Sequence, residues 1–385
     1  MGHKLRHVGT ATVRRRRIAV GAASVLAVAA FAFGVALGDD SEPEPTVTAA
    51  SRLSLAELAG QRVVAGFGGT EVPPVLARTI RSGEIAGVIL FAENLPSRSA
   101  GRRLVRRLQA IPRPPGLRDP LLVMVDQEGG LVKRIAGPPS ASAEEMGGRG
   151  AAFSRRQGGA TAANLRDVGI GVDLAPVLDV ARPGGTIAET GRGFGSTPAR
   201  VSATGVAFAE GLQGGGVVAT AKHFPGLGAA RQNTDFAVER IGLSKATLRR
   251  VDEAPFRRFV EVGGEMVMLS TAIYPALSPK PAAFARSIAT GELRSRLGFR
   301  GVSITDAMEA VAVRDFGGAA KAGTAAVRAG TDLLLFADFH AASRARRALQ
   351  RGLRSTALSR GPFEASVGRV LRLRHGLADS GPARP

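Results

Sequence analysis

The stretch that decides the fold spans residues 217–228 and reads VVATAKHFPGLG. Its first five residues are mostly apolar, as in a buried strand, and Lys222, His223 and a glycine-rich turn follow at once. In α/β barrels the loops after the strands carry the chemistry, because these loops vary while the strands hold their first residues in place. The stretch therefore predicts an active-site edge at Lys222 and His223. The alternative is an ordinary glycine-containing loop in which both side chains are only solvated.

Similar apolar runs recur along the chain from residue 51 onward. Eight of them predict strands, at residues 62–67, 86–91, 121–125, 172–175, 217–221, 266–269, 302–305 and 332–336. Helical patterns lie between them, for example at residues 99–110, 198–213, 244–262 and 317–329. Buried parallel strands form continuous apolar runs, and alternation with helices gives a parallel sheet covered by helices. The pattern predicts an α/β fold, a (β/α)8 TIM-type barrel. An open doubly wound sheet is the alternative, although the first strand-to-helix turn has no GxGxxG pattern.

Three of the predicted strands run directly into ionisable residues. Asp126 follows the third strand, Lys222 and His223 follow the fifth, and Asp306 follows the seventh. A single acid in this position can be explained as a helix N-cap. Residues from several strand ends meet at one rim of a barrel, so the three together predict an active site there.

The amino terminus has the pattern of a targeting or anchoring element. A basic cluster at residues 14–17 precedes residues 18–38, which contain no charge and are long enough to span a bilayer. Residues 1–38 are therefore predicted to be a membrane anchor or a cleaved signal peptide, with the rest of the protein extracytoplasmic. Residues 39–50 are acidic and contain Pro43 and Pro45, which predicts a linker. Residues 51–385 form the predicted barrel domain.

Composition narrows the possible partners. The chain has no Cys, which excludes disulfides and thiolate chemistry, and it has no Trp and one Tyr. Residues 51–385 carry 46 basic and 28 acidic side chains, an excess that favours contact with anionic polymers or lipid head groups. Paired arginines along predicted helices are also explained as solvated helix faces. No recognition motif predicts nucleic-acid binding. No metal or cofactor is predicted, and the sequence leaves the oligomeric state open.

Four motifs resemble glycoside hydrolase family 3. They are DQEGG at residues 126–130 with Arg134, RGFG at 192–195, KHFPG at 222–226 and GFRGVSITD at 298–306. Their order is that of the family, and the closest likeness is to its single-domain bacterial β-N-acetylglucosaminidases. The resemblance implies a retaining β-glycosidase acting on N-acetylglucosamine-containing sugars, such as muropeptides released in wall turnover. It also implies specific roles. Asp306 matches the nucleophile, and five residues match positions that hold sugar hydroxyls: Asp126, Arg134, Arg192, Lys222 and His223.

The chain departs from the family pattern in the loop after Lys222 and His223. The N-acetylglucosaminidases have a histidine where this chain has Leu227, and an Asp-Ser-His acid/base segment where it has NTD at residues 233–235. A further family histidine after the sixth strand corresponds to Thr271. Asp235 stands at the acid/base position and is the predicted proton donor, with Glu239 as another candidate. Desolvation and the charge of Asp306 are expected to raise the pKa of Asp235.

These departures leave two other functions open beside β-N-acetylhexosaminidase activity. The barrel could bind glycans without cleaving them, or it could have β-glucosidase-type specificity. A third interpretation, an unrelated phosphate-binding barrel enzyme, has less support, because the sequence has neither a P-loop nor a metal-ligand motif.

Overall fold

The structure, a computed structural model, describes residues 49–379. The predicted anchor or signal segment at residues 1–38 and residues 39–48 of the predicted linker lie outside this range. Ala50, the last residue of that linker, is fully buried, so packing begins before residue 51. Within the described range, no helix combines the length and apolar character needed to span a membrane.

Eight parallel strands form a barrel, in the spatial order β10-β1-β2-β3-β6-β7-β8-β9. The ten strands of the described residues, of which β4 and β5 form a separate antiparallel hairpin, are β1 Val63–Ala65, β2 Gly87–Ile89, β3 Leu122–Val125, β4 Gln127–Gly129, β5 Val132–Lys133, β6 Val172–Asp173, β7 Val218–Phe224, β8 Met266–Leu269, β9 Val302–Thr305 and β10 Leu334–Phe336. A parallel bridge between Ile304 of β9 and Leu333, directly before β10, joins the two ends of this order and closes the barrel. All eight predicted strands and the predicted TIM-type barrel are confirmed.

Helices cover the outside of the barrel. They are α1 Leu55–Gly60, α2 Pro74–Arg81, α3 Arg98–Ala110, α4 Ala143–Arg149, α5 Ala151–Val168, α6 Thr186–Glu189, α7 Pro198–Gly214, α8 Lys245–Thr247, α9 Ala254–Glu261, α10 Val311–Asp315, α11 Gly318–Ala329, α12 Phe339–Arg354 and α13 Arg360–Asp379. Three of the four predicted helices are confirmed as α3, α7 and α11.

Two local predictions are wrong. The helix predicted at residues 244–262 is interrupted between α8 and α9 by a π-helical segment, Leu248–Asp252. Pro255 lies in the first turn of α9 and lacks the N–H that would continue the preceding helix, so α9 starts anew at Ala254. The predicted fifth strand also ends too early, because β7 continues through Lys222 and His223 to Phe224.

Alternate side chains of the strands enter two apolar layers. Leu122 and Met124 of β3 face the cluster inside the barrel, whereas Val123 and Val125 belong to the layer between strands and helices. The carboxy-terminal helix α13 packs Leu373 against the inner cluster. This helix also covers the chain before β1 and β3, since Arg374 donates hydrogen bonds to Gln61 and to backbone carbonyls at residues 117–120. The apolar interior is therefore covered at the amino-terminal ends of the strands.

Candidate active site

A cavity of about 440 Å³ lies at the carboxyl ends of the strands. Every predicted site residue lines it. These residues are Asp126, Arg134, Arg192, Lys222, His223, Asp235 and Asp306. They come from β7, from the loops after β3, β7 and β9, and from the segments after β5 and α6. The structure thus brings together at one rim residues that are far apart in the sequence.

A buried charge cluster forms one wall of the cavity. The Lys222 ammonium lies 2.7 Å from Asp126 Oδ1 and 2.6 Å from Glu128 Oε1. Arg192 binds Glu128 through two hydrogen bonds, 2.8 Å from Nε to Oε2 and 2.7 Å from Nη2 to Oε1. Burial alone would raise the pKa of Glu128, but Lys222 and Arg192 lower it to about 2. Burial likewise acts to lower the pKa of Lys222, and the carboxylates of Asp126 and Glu128 raise it. Glu128, Lys222 and Arg192 are therefore held in their charged forms.

Glu128 is the centre of this cluster, and the sequence analysis did not select it. Its side chain is almost fully buried between Lys222 and Arg192. The available signal was its position two residues after Asp126, which places both side chains on the same side of an extended chain. Within residues 49–379, no group of three or more Asp, Glu or His residues is arranged to hold a metal ion.

The hairpin of β4 and β5 positions Arg134, and it was not predicted either. Gly129 at the end of β4 and Gly130 in the turn have φ values of +96° and +54°, a region that favours glycine. The Gln127 side chain holds the hairpin by accepting hydrogen bonds from the backbone N–H groups of Arg134 and Ile135. The Arg134 guanidinium reaches to 4.0 Å from Asp126 Oδ2. The hairpin thus brings a second cation to Asp126.

His223 is fixed by a buried carboxylate that the sequence analysis missed. Asp179 lies in the segment after β6, and its Oδ2 is 2.7 Å from His223 Nδ1. A carboxylate only accepts hydrogen bonds, so Nδ1 carries the proton. The other oxygen of Asp179 accepts from the backbone N–H groups of His223, at 3.1 Å, and Leu227, at 2.6 Å. The only sequence signal was an acid shortly after a predicted strand.

Asp235 lies on the loop after β7 and faces the cavity. Its backbone N–H donates to Asn233 Oδ1 at 2.9 Å, which forms a local turn. The carboxyl is open to the solvent of the cavity, yet the surrounding protein atoms raise its pKa, first through lost hydration and then through the negative charge of Asp306. Glu239 does not line the cavity. It accepts hydrogen bonds from the backbone N–H groups of Arg231 and Gln232 and so braces the loop.

Asp306 is held by the backbone at the end of β9. Its own N–H donates to the Leu269 carbonyl of the neighbouring strand at 2.9 Å. Its side-chain Oδ1 accepts from the Ala307 N–H at 2.8 Å. These contacts fix the carboxylate at the rim of the cavity, where its negative charge raises the pKa of Asp235.

Comparison with known proteins identifies the family. A family model described as the glycosyl hydrolase family 3 N-terminal domain matches residues 56–373. The chain belongs to glycoside hydrolase family 3. The family resemblance and the enzyme class predicted from the sequence are confirmed: the protein is a glycoside hydrolase, and its substrate is a carbohydrate.

Three similar proteins are described as glycosidases. An uncharacterized secreted glycosyl hydrolase of Arthroderma benhamiae is 40% identical over 291 residues, covering 74% of this chain and 82% of that protein. A β-hexosaminidase of Xylella fastidiosa strain M23 is 34% identical over 283 residues, covering 70% of this chain and 81% of that one. The structure of a family 3 β-N-acetylglucosaminidase from Paenibacillus sp. FPU-7 superposes with a TM-score of 0.82 at 32% identity. That match covers 86% of this chain and 64% of the Paenibacillus chain.

Proposed function

We propose that the protein is a retaining β-N-acetylhexosaminidase that acts outside the cytoplasm on N-acetylglucosamine-containing fragments of the cell wall. The observation that carries the proposal is that, among the five carboxyl groups lining the cavity, the charge of Asp306 acts on Asp235. Asp306 is held at the end of β9, and Asp235 lies on a loop with a raised pKa. A retaining glycosidase needs one ionised carboxylate and one proton donor. The relatives named β-hexosaminidase and β-N-acetylglucosaminidase support the choice of sugar.

In the first step, an Asp306 oxygen forms a bond to the anomeric carbon while the bond from that carbon to the leaving oxygen breaks. The Ala307 N–H holds Oδ1, so Oδ2 is the attacking atom. Asp235 begins protonated and gives its proton to the leaving oxygen. Its raised pKa increases the protonated fraction near neutral pH, which suits this role.

In the second step, Asp235 acts as a base. It takes a proton from a water molecule, the water oxygen bonds to the anomeric carbon, and the ester bond to Asp306 breaks. Asp306 is released as a carboxylate and Asp235 is protonated again. The same carboxyl thus serves both half-reactions, and it replaces the histidine found at this position in related N-acetylglucosaminidases.

The remaining site residues hold the sugar in this proposal. Asp126 accepts hydrogen bonds from sugar hydroxyls, and Lys222 and Arg134 donate to them, while His223 accepts one through its unprotonated Nε2. Arg192 uses two of its nitrogens on Glu128, so it contributes mainly by keeping the wall of the cavity in place. The tautomer of His223 set by Asp179 leaves Nε2 available to a hydroxyl.

The extracytoplasmic location rests on the amino-terminal sequence. An uncharged apolar stretch at residues 18–38 follows a basic cluster, and the Arthroderma relative is described as secreted. The segment serves either as an anchor, which makes the membrane a partner, or as a cleaved signal peptide.

Hydrolysis of two chromogenic substrates tests the function. The full chain, Asp306→Ala and Asp235→Ala are compared on aryl β-N-acetylglucosaminide and aryl β-glucoside. We expect hydrolysis of the N-acetylglucosaminide by the wild type and loss of turnover in Asp306→Ala. Asp235→Ala should still form the glycosyl-enzyme, because an activated aryl group leaves with little protonation.

Two outcomes contradict the proposal. Equal inactivity of the wild type and Asp306→Ala on both substrates, with binding of wall fragments retained, would identify a glycan-binding barrel. Preference for the aryl β-glucoside would instead assign the enzyme β-glucosidase specificity.

A further inference from the structure

A second, basic depression lies outside the catalytic cavity. Two adjoining cavities of about 490 and 500 Å³ share Arg286 and Arg328. They lie along α11 and the π-helical segment Ser287–Arg296, and we call them together the basic groove. Its cationic side chains are Arg62, Lys280, Arg286, Arg294, Lys321, Arg328 and Arg369. None of the described residues that line the groove is an acid, and none of its cations lines the catalytic cavity.

One buried carboxylate lies beneath this groove and does not balance its charge. Asp332 is fully buried and binds both Arg294 and Arg369, the latter at 2.7 Å from Nη2 to Oδ1. Burial would raise the pKa of Asp332, but these arginines lower it to about 2, so it is ionised. Arg62 is also buried there and donates to the backbone carbonyls of Thr331 and Asp332. Three guanidinium groups thus surround a single negative charge.

The outer part of the groove is positive and open. Arg286 and Lys321 are exposed, and neither forms an ion pair with an acid in residues 49–379. Lys321 lies near the start of α11 and Arg328 near its end. A helix rises ~1.5 Å per residue, so these two cations are about 10 Å apart along the axis. A single small anion does not reach both, whereas a chain with repeated charges does.

The aromatic rings of the groove pack against other side chains of the protein. Phe284 and Phe316 pack against each other with ring centroids 5.0 Å apart, and Arg62 lies 4.5 Å from the Phe363 ring centre. Single-stranded nucleic acids are held by free aromatic faces on which bases stack. The groove therefore favours a backbone of charged groups without bases. Arginine forks bind phosphate oxygens bidentately, as they do carboxylates, and a linear phosphate polymer offers such groups in series.

We propose that the basic groove binds a linear phosphate-containing polymer. The polymer lies along α11, with successive phosphates near Lys321, Arg286 and Arg328. The groove is a concavity beside two helical segments, and a concavity accommodates one extended chain better than the flat surface of a bilayer does. This binding is independent of the hydrolase activity, because the groove and the catalytic cavity share no cationic residue.

Fluorescence anisotropy with a short, labelled linear polyphosphate tests the proposal on the full chain. The groove variant is Arg286→Gln with Lys321→Gln, which changes two exposed side chains. The control variant is Arg81→Gln with Arg103→Gln, which removes the same charge from exposed positions on α2 and α3. We expect the groove variant to bind on the order of tenfold more weakly, because charge-assisted contacts are lost, and the control to bind nearly as tightly as the wild type.

Three outcomes would overturn the proposal. Equal weakening in both variants would mean diffuse attraction to a chain of net charge +20. Displacement of the probe by inorganic phosphate at equal phosphate concentration would mean a site for a single ion. Tight binding of phosphatidylglycerol vesicles that is lost only in the groove variant would mean a membrane-binding surface. Unchanged hydrolysis of an aryl glycoside in both variants confirms that they are folded.

Discussion

Asp235 is the residue on which the proposed chemistry depends most. It must be protonated in the first step, so kcat/KM of the wild type should fall as pH rises through its raised pKa. Asp235→Asn removes this titration. On a substrate with a poor leaving group, we expect activity about 10²- to 10⁴-fold lower and no fall over that pH range. The measurement is kcat/KM against pH for both proteins.

Glu239→Gln is the control for Asp235, because Glu239 lies on the same loop but binds backbone N–H groups instead of lining the cavity. It should keep the wild-type pH profile even if its activity is lower. If Glu239→Gln lost the pH dependence and Asp235→Asn retained it, the proton donor would be Glu239.

Glu128 should matter more for stability than any exposed acid. Its negative charge compensates the positive charges of Lys222 and Arg192 in a buried cluster. Glu128→Gln leaves these cations without that charge, and removing one partner of a buried ion pair costs about 3–5 kcal/mol. Urea unfolding measures this loss. Glu71→Gln is the control, since Glu71 pairs with Arg107 at the exposed surface. Equal stability of the two variants would show that the cluster does not depend on Glu128.

The sequence identified cavity-lining residues better than the contacts beneath them. Strand ends and family motifs pointed to Asp126, Lys222 and Asp306, which do line one cavity. Glu128 and Asp179 were missed because their importance comes from partners 94 and 44 positions away in the chain, at Lys222 and His223. Only the closed barrel brings such residues together. The roles of the seven predicted site residues remain predictions.

At the level of elements, the crossing of α5 and α7 depends on glycine. A Cβ added at Gly158 would lie 2.1 Å from the Phe208 carbonyl oxygen of α7, whereas one added at Gly159 has its nearest neighbour at 3.9 Å. Gly158→Ala should therefore destabilise the protein by about 1–3 kcal/mol through overpacking. Gly159→Ala should stabilise it by roughly 0.5–1 kcal/mol, because alanine is the better helix former. Thermal unfolding distinguishes them, and a similar effect of both would mean that the helices move apart freely.

The elements themselves were predictable where burial is uniform. Strands buried on both faces give continuous apolar runs, so all eight barrel strands were found from the sequence. The β4–β5 hairpin was missed, because it is two short strands rich in polar residues and glycine. The break in the helix at residues 244–262 was missed because the apolar pattern continues through it. Local backbone geometry, set by Pro255, overrides that pattern.

At the scale of the whole molecule, the two ends of the barrel differ in structure and in charge. The helix α13 covers the amino-terminal ends of the strands, and the charged cavity lies at the carboxyl ends. Between the charged cavity and the apolar interior lies Asp173, which is fully buried in β6. Its Oδ1 accepts the Gln127 N–H at 3.0 Å, and its Oδ2 has no hydrogen-bonding partner among the described residues. This buried acid links the stability of the barrel to pH.

Burial raises the pKa of Asp173 to about 8; the Gln127 N–H and Lys222 oppose that rise, while Asp126 and Glu128 add to it. The pKa of an unfolded Asp is ~3.9. At pH values between this pKa and that of the folded protein, the unfolded chain has lost a proton that the folded protein keeps. The stability that Asp173 contributes is therefore complete below about pH 4 and falls by ~1.4 kcal/mol per pH unit up to about pH 8.

Asp173→Asn cannot titrate. We expect the wild type to lose stability relative to this variant between about pH 5 and pH 8, as measured by urea unfolding. Asp315→Asn, which changes an exposed acid on α10, should follow the wild type at both pH values. A constant difference between the wild type and Asp173→Asn would mean that Asp173 is already ionised in the fold, with Lys222 as its compensating charge.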